Sequence, residues 1–396
     1  MIMESPNAPR DARSGDASTE AATTAPRRWL RRSLLTLATV VVAGVAIEVA
    51  CRTVVPLSAG AVRFLFLHQM SVERWEYLLA DSEGDPLETR EIEWIPTRQQ
   101  NATWKEEPEE DRPPYDRIEA AYTVKTNGSG FRDAPFGKKR SDTARVLVLG
   151  DSIGFGKGVT VDERFSNRLK ALAPAHIEVL NLGYPACGTV RSVAIAEEQA
   201  GLEADLIVFQ ASGNDVDTAM AMKARGAETG LPSAPMRLLL RSRAIQLLTC
   251  WLFGDPKTAQ MGVAVEAAAE LHGPTVDKLF AFAKAQGVKV VVMAFPSSSG
   301  DFYADHVFQS CKRHPEVCLG GLEVALSPAD AAAPKWLIDT ADFTGLPSEG
   351  LNAMFPLAGW FQDIVHPSAA AHRLAGDQLA TMLRTVWAGW FRGQRS

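Results

Sequence analysis

Four short runs of β-branched and aliphatic residues, each stopping at glycine, asparagine or proline, constrain this chain more than any other feature. They are Arg145–Leu149, Glu178–Leu180, Ala204–Phe209 and Val288–Met293. They stop at Gly150-Asp151-Ser152, Asn181-Leu182-Gly183, Gly213-Asn214-Asp215 and Phe295-Pro296. Near-continuous apolar runs are the mark of strands buried on both faces. Helical patterns around 162–173 and 190–202 lie between them. Strands alternating with helices predict an α/β fold with a doubly wound parallel sheet, whose polar strand ends gather at one edge.

Ser152 follows the first run after a glycine, which lets the backbone turn sharply. A serine at the carboxyl end of a parallel strand stands where open α/β sheets bind ligands. Its own N–H, at the start of the next element, can face developing negative charge. Gly154, Gly156 and Gly158 do not have dinucleotide-loop spacing. Near the C-terminus, Asp363 precedes His366 by three residues. A carboxylate so placed can hold the imidazole in one tautomer and leave the other ring nitrogen to take a serine proton. Of the seven histidines, His366 alone has such a carboxylate followed by a Pro turn and a long helix. That helix begins near Ser368 and carries an apolar stripe, with His372 in a structural role.

The N-terminus reads differently. Residues 1–28 are poor in large apolar side chains and read as a disordered cytoplasmic tail. Arg27, Arg28, Arg31 and Arg32 flank an apolar segment read as a transmembrane signal anchor over 29–50. About 20 helical residues cross a bilayer core, and the arginines put that flank in the cytoplasm. The catalytic domain is then extracytoplasmic (periplasmic), on a single-pass protein of the cytoplasmic membrane. A cleaved signal peptide and a buried core helix are the competing readings. Glu48 falls near the outer interface with Arg52 one turn on. The formal charge of −6 gives no whole-chain basic field for nucleic acid.

Residues 51–120 read as a juxtamembrane and linker region, with an apolar run at Phe64–Leu67 and a charged, Pro-rich loop at 105–117. Tyr122–Thr126 reads as a strand ending in the Asn127-Gly128 turn. The catalytic domain is placed at 121–396, with a helical insertion at about 218–275. Within that insertion, 236–253 carries Arg237, Arg241 and Arg243 among apolar residues. A core-packed helix with solvated arginines is favoured over a membrane-surface helix or a lid. Five cysteines are too few for a disulfide scaffold. Cys311 and Cys318 bracket a short loop, where a disulfide is favoured over a metal site using His314.

Gly150-Asp151-Ser152, Asn181-Leu182-Gly183, Gly213-Asn214-Asp215 and Asp363-to-His366, in that order, resemble the SGNH (GDSL-type) hydrolases over about 120–392. The apolar N-terminus and the Asn127–Asp133 approach resemble that family's bacterial membrane-anchored branch. The resemblance implies a flavodoxin-like three-layer α/β/α sandwich. It makes Ser152 the nucleophile, His366 the general base and Asp363 its orienter. The oxyanion hole would use the Ser152 N–H, the Asn214 amide and a backbone N–H in the second block. The family's glycine in that block corresponds to Ala186 here, which leaves Ala186, Gly188 or Gly183 as the donor. No metal or organic cofactor is implied. The expected activity is that of an esterase or deacetylase acting on an acylated glycan or lipid. An O-acetyltransferase with the same triad and a non-catalytic glycan-binding or assembly protein are the alternatives.

Overall fold

The computed structural model describes residues 24–53, 98–108, 118, 120–185, 187–211, 242–253, 262–296, 302–327, 357, 360–362 and 366–391. Helix α1 (Thr24–Thr53), with Ser242–Ile245, forms one compact unit, and the other described residues form a second.

Helix α1 starts inside the stretch expected to be a disordered tail, which corrects the boundary for residues 24–28. Pro26 lies in the first turn, where its missing N–H breaks no helical bond. Residues 1–23 of the expected tail are outside the described residues. Trp29–Thr53 is 25 residues, long and apolar enough to cross a membrane, and none of its most apolar stretch is buried. The Glu48 carboxylate takes the Arg52 Nε–H at 2.7 Å. The same carboxylate accepts from the Ser242 hydroxyl at 2.7 Å and from the Arg243 and Ala244 N–H groups at 2.9 and 3.1 Å.

In the second unit, β1 (Thr103–Glu106) and β2 (Tyr122–Lys125) pair antiparallel, with Trp104 opposite Val124. β1 lies within the expected linker, so the hairpin straddles the boundary drawn at 120. The large sheet has strands β3 (Ala144–Leu149), β4 (Ile177–Asn181), β5 (Leu206–Gln210), β6 (Lys289–Ala294) and β7 (Cys318–Glu323). All neighbours are parallel, in the order β4-β3-β5-β6-β7. Counted within this sheet the order is 2-1-3-4-5, the flavodoxin-like arrangement. The direction in which successive strands are added reverses at β3, so β3 and β5 flank the switch point where such sheets take ligands.

The helices are α2 (Ser152–Phe155), α3 (Phe165–Leu172), α4 (Thr189–Glu198), α5 (Arg243–Phe253), α6 (Gly262–Gln286), α7 (Phe302–Arg313) and α8 (Ala369–Val386). Alternation along each strand divides the core in two. Val146 and Val148 join Phe165, Leu169, Ala375 and Leu379 from α3 and α8. Leu147 and Leu149 join Val193, Leu279, Phe280 and Val307 from α4, α6 and α7. The result is a three-layer α/β/α sandwich.

Three elements depart from the sequence expectation. β7 is a fifth parallel strand. Its Gly320-Gly321 centre hides the aliphatic signal, and Phe308 and Met382 fill the space that side chains would take. α6 begins inside the expected insertion and continues into the core, where Val276, Leu279 and Ala283 are buried despite Pro274 within the helix. Arg243, expected in solvent, is buried at 4% exposure in the first turn of α5. Residues 212–241 and 254–261, with Arg237 and Arg241, are outside the described residues, as is Phe64–Leu67.

A disulfide joins Cys311, in the last turns of α7, to Cys318, the first residue of β7. Closing so short a loop stabilises a domain by about 2 kcal/mol. Replacing both cysteines by serine is expected to lower the unfolding free energy by that amount in a urea titration, and the reduced wild type is expected to match the variant.

Candidate active site

The turn that carries Ser152 begins where β3 leaves the sheet. Gly150 has no room for a side chain, because a Cβ would overlap the Gln210 carboxamide. Asp151 then caps α2, its carboxylate accepting from Ile153 N–H at 2.8 Å. Gly156 ends the helix at φ 79, in the left-handed region where a side chain is strained. The first N–H groups of a helix need partners from outside it, and in so short a helix they are nearly all there are. The Gln210 Oε1, at the end of the neighbouring strand β5, accepts from Asp151 N–H and Gly154 N–H, both at 3.2 Å. Phe155 N–H donates to the Asp151 carbonyl at 2.8 Å. The Ser152 N–H is left, with no acceptor among the described residues.

The second block packs against this helix. Asn181 Nδ2 donates to the Gly154 carbonyl at 2.8 Å and to Ser166 Oγ at 2.7 Å, and its Oδ1 accepts from Gly183 N–H at 2.8 Å. Gly183 is a close-approach glycine, since a Cβ would overlap the Gly154–Phe155 peptide. Its N–H is taken up inside the loop. Gly188 caps α4 in extended conformation.

His366 arrives from the other end of the chain. It is buried, at 5% exposure, and its Nε2 lies 2.9 Å from Ser152 Oγ. A tight turn fixes it. Gln362 N–H donates to the His366 carbonyl at 3.0 Å, Phe361 bridges Pro367, and Ser368 N–H donates to the Trp360 carbonyl at 2.8 Å. The Gln362 side chain donates to the Lys157 carbonyl at 2.7 Å, tying the histidine turn to the loop behind α2. Ser368 caps α8.

The structure therefore brings Ser152 and His366 together across 214 positions. Asp363, Asn214 and Ala186 lie outside the described residues. Sequence reasoning did not find Gln210 or Gln362. The one legible signal was a glutamine closing an otherwise apolar strand, Leu206–Gln210. Among the described residues no group of three or more His, Cys, Asp or Glu side chains could hold a metal.

Two buried arginines fasten the far end of α2. The Arg132 guanidinium donates to the carbonyls of Gly156 at 2.5 Å and Val159 at 2.8 Å, and lies 4.7 Å from the centre of the Tyr122 ring. Arg164 donates to the Arg132 carbonyl at 2.5 Å. Burial lowers both to about 10, so both stay cationic at neutral pH. His372 stacks on Phe165 and accepts the Phe165 N–H at Nδ1, which places its proton on Nε2. Burial, and then the charges of Arg164, His366 and Arg132, push it down to about 3.

No protein-family model and no curated protein matches the sequence. Solved structures do match part of it. A lipolytic protein of the G-D-S-L family from Veillonella parvula is 13% identical, over 62% of this chain and 98% of its own, with a TM-score of 0.33. The aryl esterase of M. smegmatis is 15% identical, over 62% and 100%, with a TM-score of 0.32. A lipase from a goat rumen metagenome is 14% identical, over 61% and 97%, with a TM-score of 0.35.

Two predictions follow the buried polar groups. Gln210→Leu removes the acceptor of two buried N–H groups and is expected to cost about 1–3 kcal/mol of stability, measured by urea titration. His372 is neutral when folded, so the unfolded chain binds its proton first as pH falls. Its contribution is complete above about 6.5 and is lost progressively towards about 3. Between pH 7 and 5 the wild type is expected to lose more stability than His372→Asn.

Proposed function

We propose that this chain is a serine ester hydrolase, an esterase or deacetylase. The observation that carries the reading is the 2.9 Å approach of His366 Nε2 to Ser152 Oγ at the carboxyl edge of β3. Hydroxyl and imidazole within hydrogen-bond reach are what nucleophilic acyl transfer needs. The site sits at the switch point, and the nearby Ser152 N–H has no acceptor among the described residues, which supports the same reading.

In the proposed reaction, Ser152 Oγ attacks the ester carbonyl carbon while its proton passes to His366 Nε2. Asp363, three residues before His366, orients the imidazole and stabilises its charged form. The tetrahedral oxyanion is held by the Ser152 N–H, the Asn214 amide and a backbone N–H of the second block from Ala186 or Gly188. Collapse breaks the bond to the alcohol, which leaves with the proton from Nε2. Water then attacks the acyl-serine, gives its proton to Nε2, and releases the acid as Ser152 regains a proton. Each oxyanion donor is worth about 3–4 kcal/mol of barrier.

We further propose that α1 anchors the chain in the cytoplasmic membrane, with the catalytic domain outside. The four arginines before the apolar stretch support that orientation. The Cys311–Cys318 disulfide suits an oxidising compartment. An acylated glycan or lipid is the substrate class that fits such a location.

Hydrolysis of p-nitrophenyl acetate by the full chain tests the activity. Ser152→Ala and His366→Ala are each expected to lower kcat by at least about 10³-fold, and the double variant to lose little more than either alone. Equal rates for wild type and both variants would contradict the proposal.

A further inference from the structure

The β1–β2 hairpin lies outside the five-stranded sheet, yet it packs on the helix that carries Ser152. Tyr122 and Val124 of β2 share an apolar cluster with Phe155 of α2, and Trp104 of β1 packs against that cluster. The Thr126 hydroxyl donates to the Gln99 carbonyl at 2.5 Å, which holds the segment before β1 to the end of β2. Where hairpin and sheet loops meet there is a cleft of about 120 Å³. It is lined by Trp104 and Gln99, by Phe155, and by Tyr184 and Pro185 from the loop after β4.

The cleft adjoins the reacting groups without containing them. Phe155 is one turn beyond Ser152 on α2. Tyr184 N–H donates at 3.0 Å to the carbonyl of Gly150, two residues before Ser152. Ser152 and His366 themselves are not part of the lining. The lining is of two kinds. Trp104, Phe155 and Tyr184 supply aromatic rings, and the indole is held by its Nε1–H, which donates to the Glu106 carboxylate at 2.6 Å. The Tyr184 hydroxyl and the Gln99 carboxamide make no hydrogen bond among the described residues. Burial raises the Tyr184 phenol, so it stays protonated and able to donate at neutral pH.

We propose that this cleft is a subsite for a hydroxylated six-membered ring in the alcohol half of the ester, from either a pyranose or a phenol. The proposal rests on the reading of the chain as a serine ester hydrolase. A cavity of about 150 Å³ takes a benzene ring, so the cleft has room for one ring. Aromatic side chains match the ring's apolar face, and a few placed polar groups match its hydroxyls and set its orientation. A bare alkyl chain would leave the Tyr184 hydroxyl and the Gln99 carboxamide unmatched. Binding a part of the substrate that does not react helps to place its carbonyl at Ser152.

Steady-state hydrolysis by the full chain tests this, with acetates of one alcohol series. The esters are ethyl acetate, cyclohexyl acetate, 4-hydroxyphenyl acetate and the methyl 6-O-acetyl pyranosides of glucose, galactose and mannose. Trp104→Ala is expected to lower kcat/KM for a hydroxylated-ring ester at least about tenfold more than for ethyl acetate, mainly through KM. Tyr184→Phe keeps the ring and removes the hydroxyl, and is the deciding variant if Trp104→Ala does not fold. It is expected to raise KM for the same ester at least about threefold more than for cyclohexyl acetate. A loss confined to pyranosides identifies a sugar, and one confined to 4-hydroxyphenyl acetate a phenolic ring. Equal losses across all alcohols, or none, would overturn the proposal. So would losses that grow from p-nitrophenyl acetate to the butyrate, which would put the acyl group in the cleft. If hydrolysis depends on Ser152 but shows no ring discrimination, the cleft proposal alone ends. If Ser152→Ala matches the wild type on every ester, the hydrolase reading ends and the proposal with it.

Discussion

A four-residue helix cannot hold itself together, and the whole site hangs on the one at Ser152–Phe155. Nucleating a helical turn costs more backbone freedom than its hydrogen bonds return. Here the deficit is met from outside. Asp151 caps the helix, Gln210 reaches across from β5, Asn181 grips the Gly154 carbonyl, and Arg132 takes the carbonyls at the far end. These groups are nearly all buried, where an unmade hydrogen bond is expensive. Among the described residues, the pattern supplies an acceptor to each N–H from Asp151 to Phe155 except that of Ser152. The residue whose hydroxyl faces His366 is the one whose N–H these braces do not take up.

The sheet places these braces. Because β3 is flanked by β4 on one side and β5 on the other, side chains at both neighbouring strand ends can reach the turn after β3. Asn181 ends β4 and Gln210 ends β5. The histidine turn is tied in separately, through Gln362 and the cap of α8 at Ser368. Two independent supports, one strand-borne and one helix-borne, bring the imidazole to the hydroxyl.

The legible parts of the fold were those written in local chemistry. Arg145–Leu149 reads as a buried strand because its apolar run is unbroken, and Ser368 reads as a helix start because it caps and an apolar stripe follows. β7 was not legible, since Gly320 and Gly321 leave its packing to Phe308 and Met382 from elsewhere in the chain. β1 was hidden for a similar reason. Its four residues, Thr103–Glu106, gain their identity only by pairing with β2. At the site, Ser152 and His366 were readable from their flanking residues. Gln210 and Gln362 were not, because a glutamine's role as a brace depends on what the fold sets opposite it. Arg243 was misread because composition shows an amphipathic helix but not which of its polar residues is turned inward.

The central claim is that Ser152 is a nucleophile activated by His366. Labelling of the full chain with a fluorophosphonate probe, mapped by peptide mass spectrometry, tests it most directly. The account predicts a single phosphonylated residue, Ser152, and loss of labelling in His366→Ala. An unlabelled Ser152 in folded protein, or equal labelling with and without the imidazole, would contradict it.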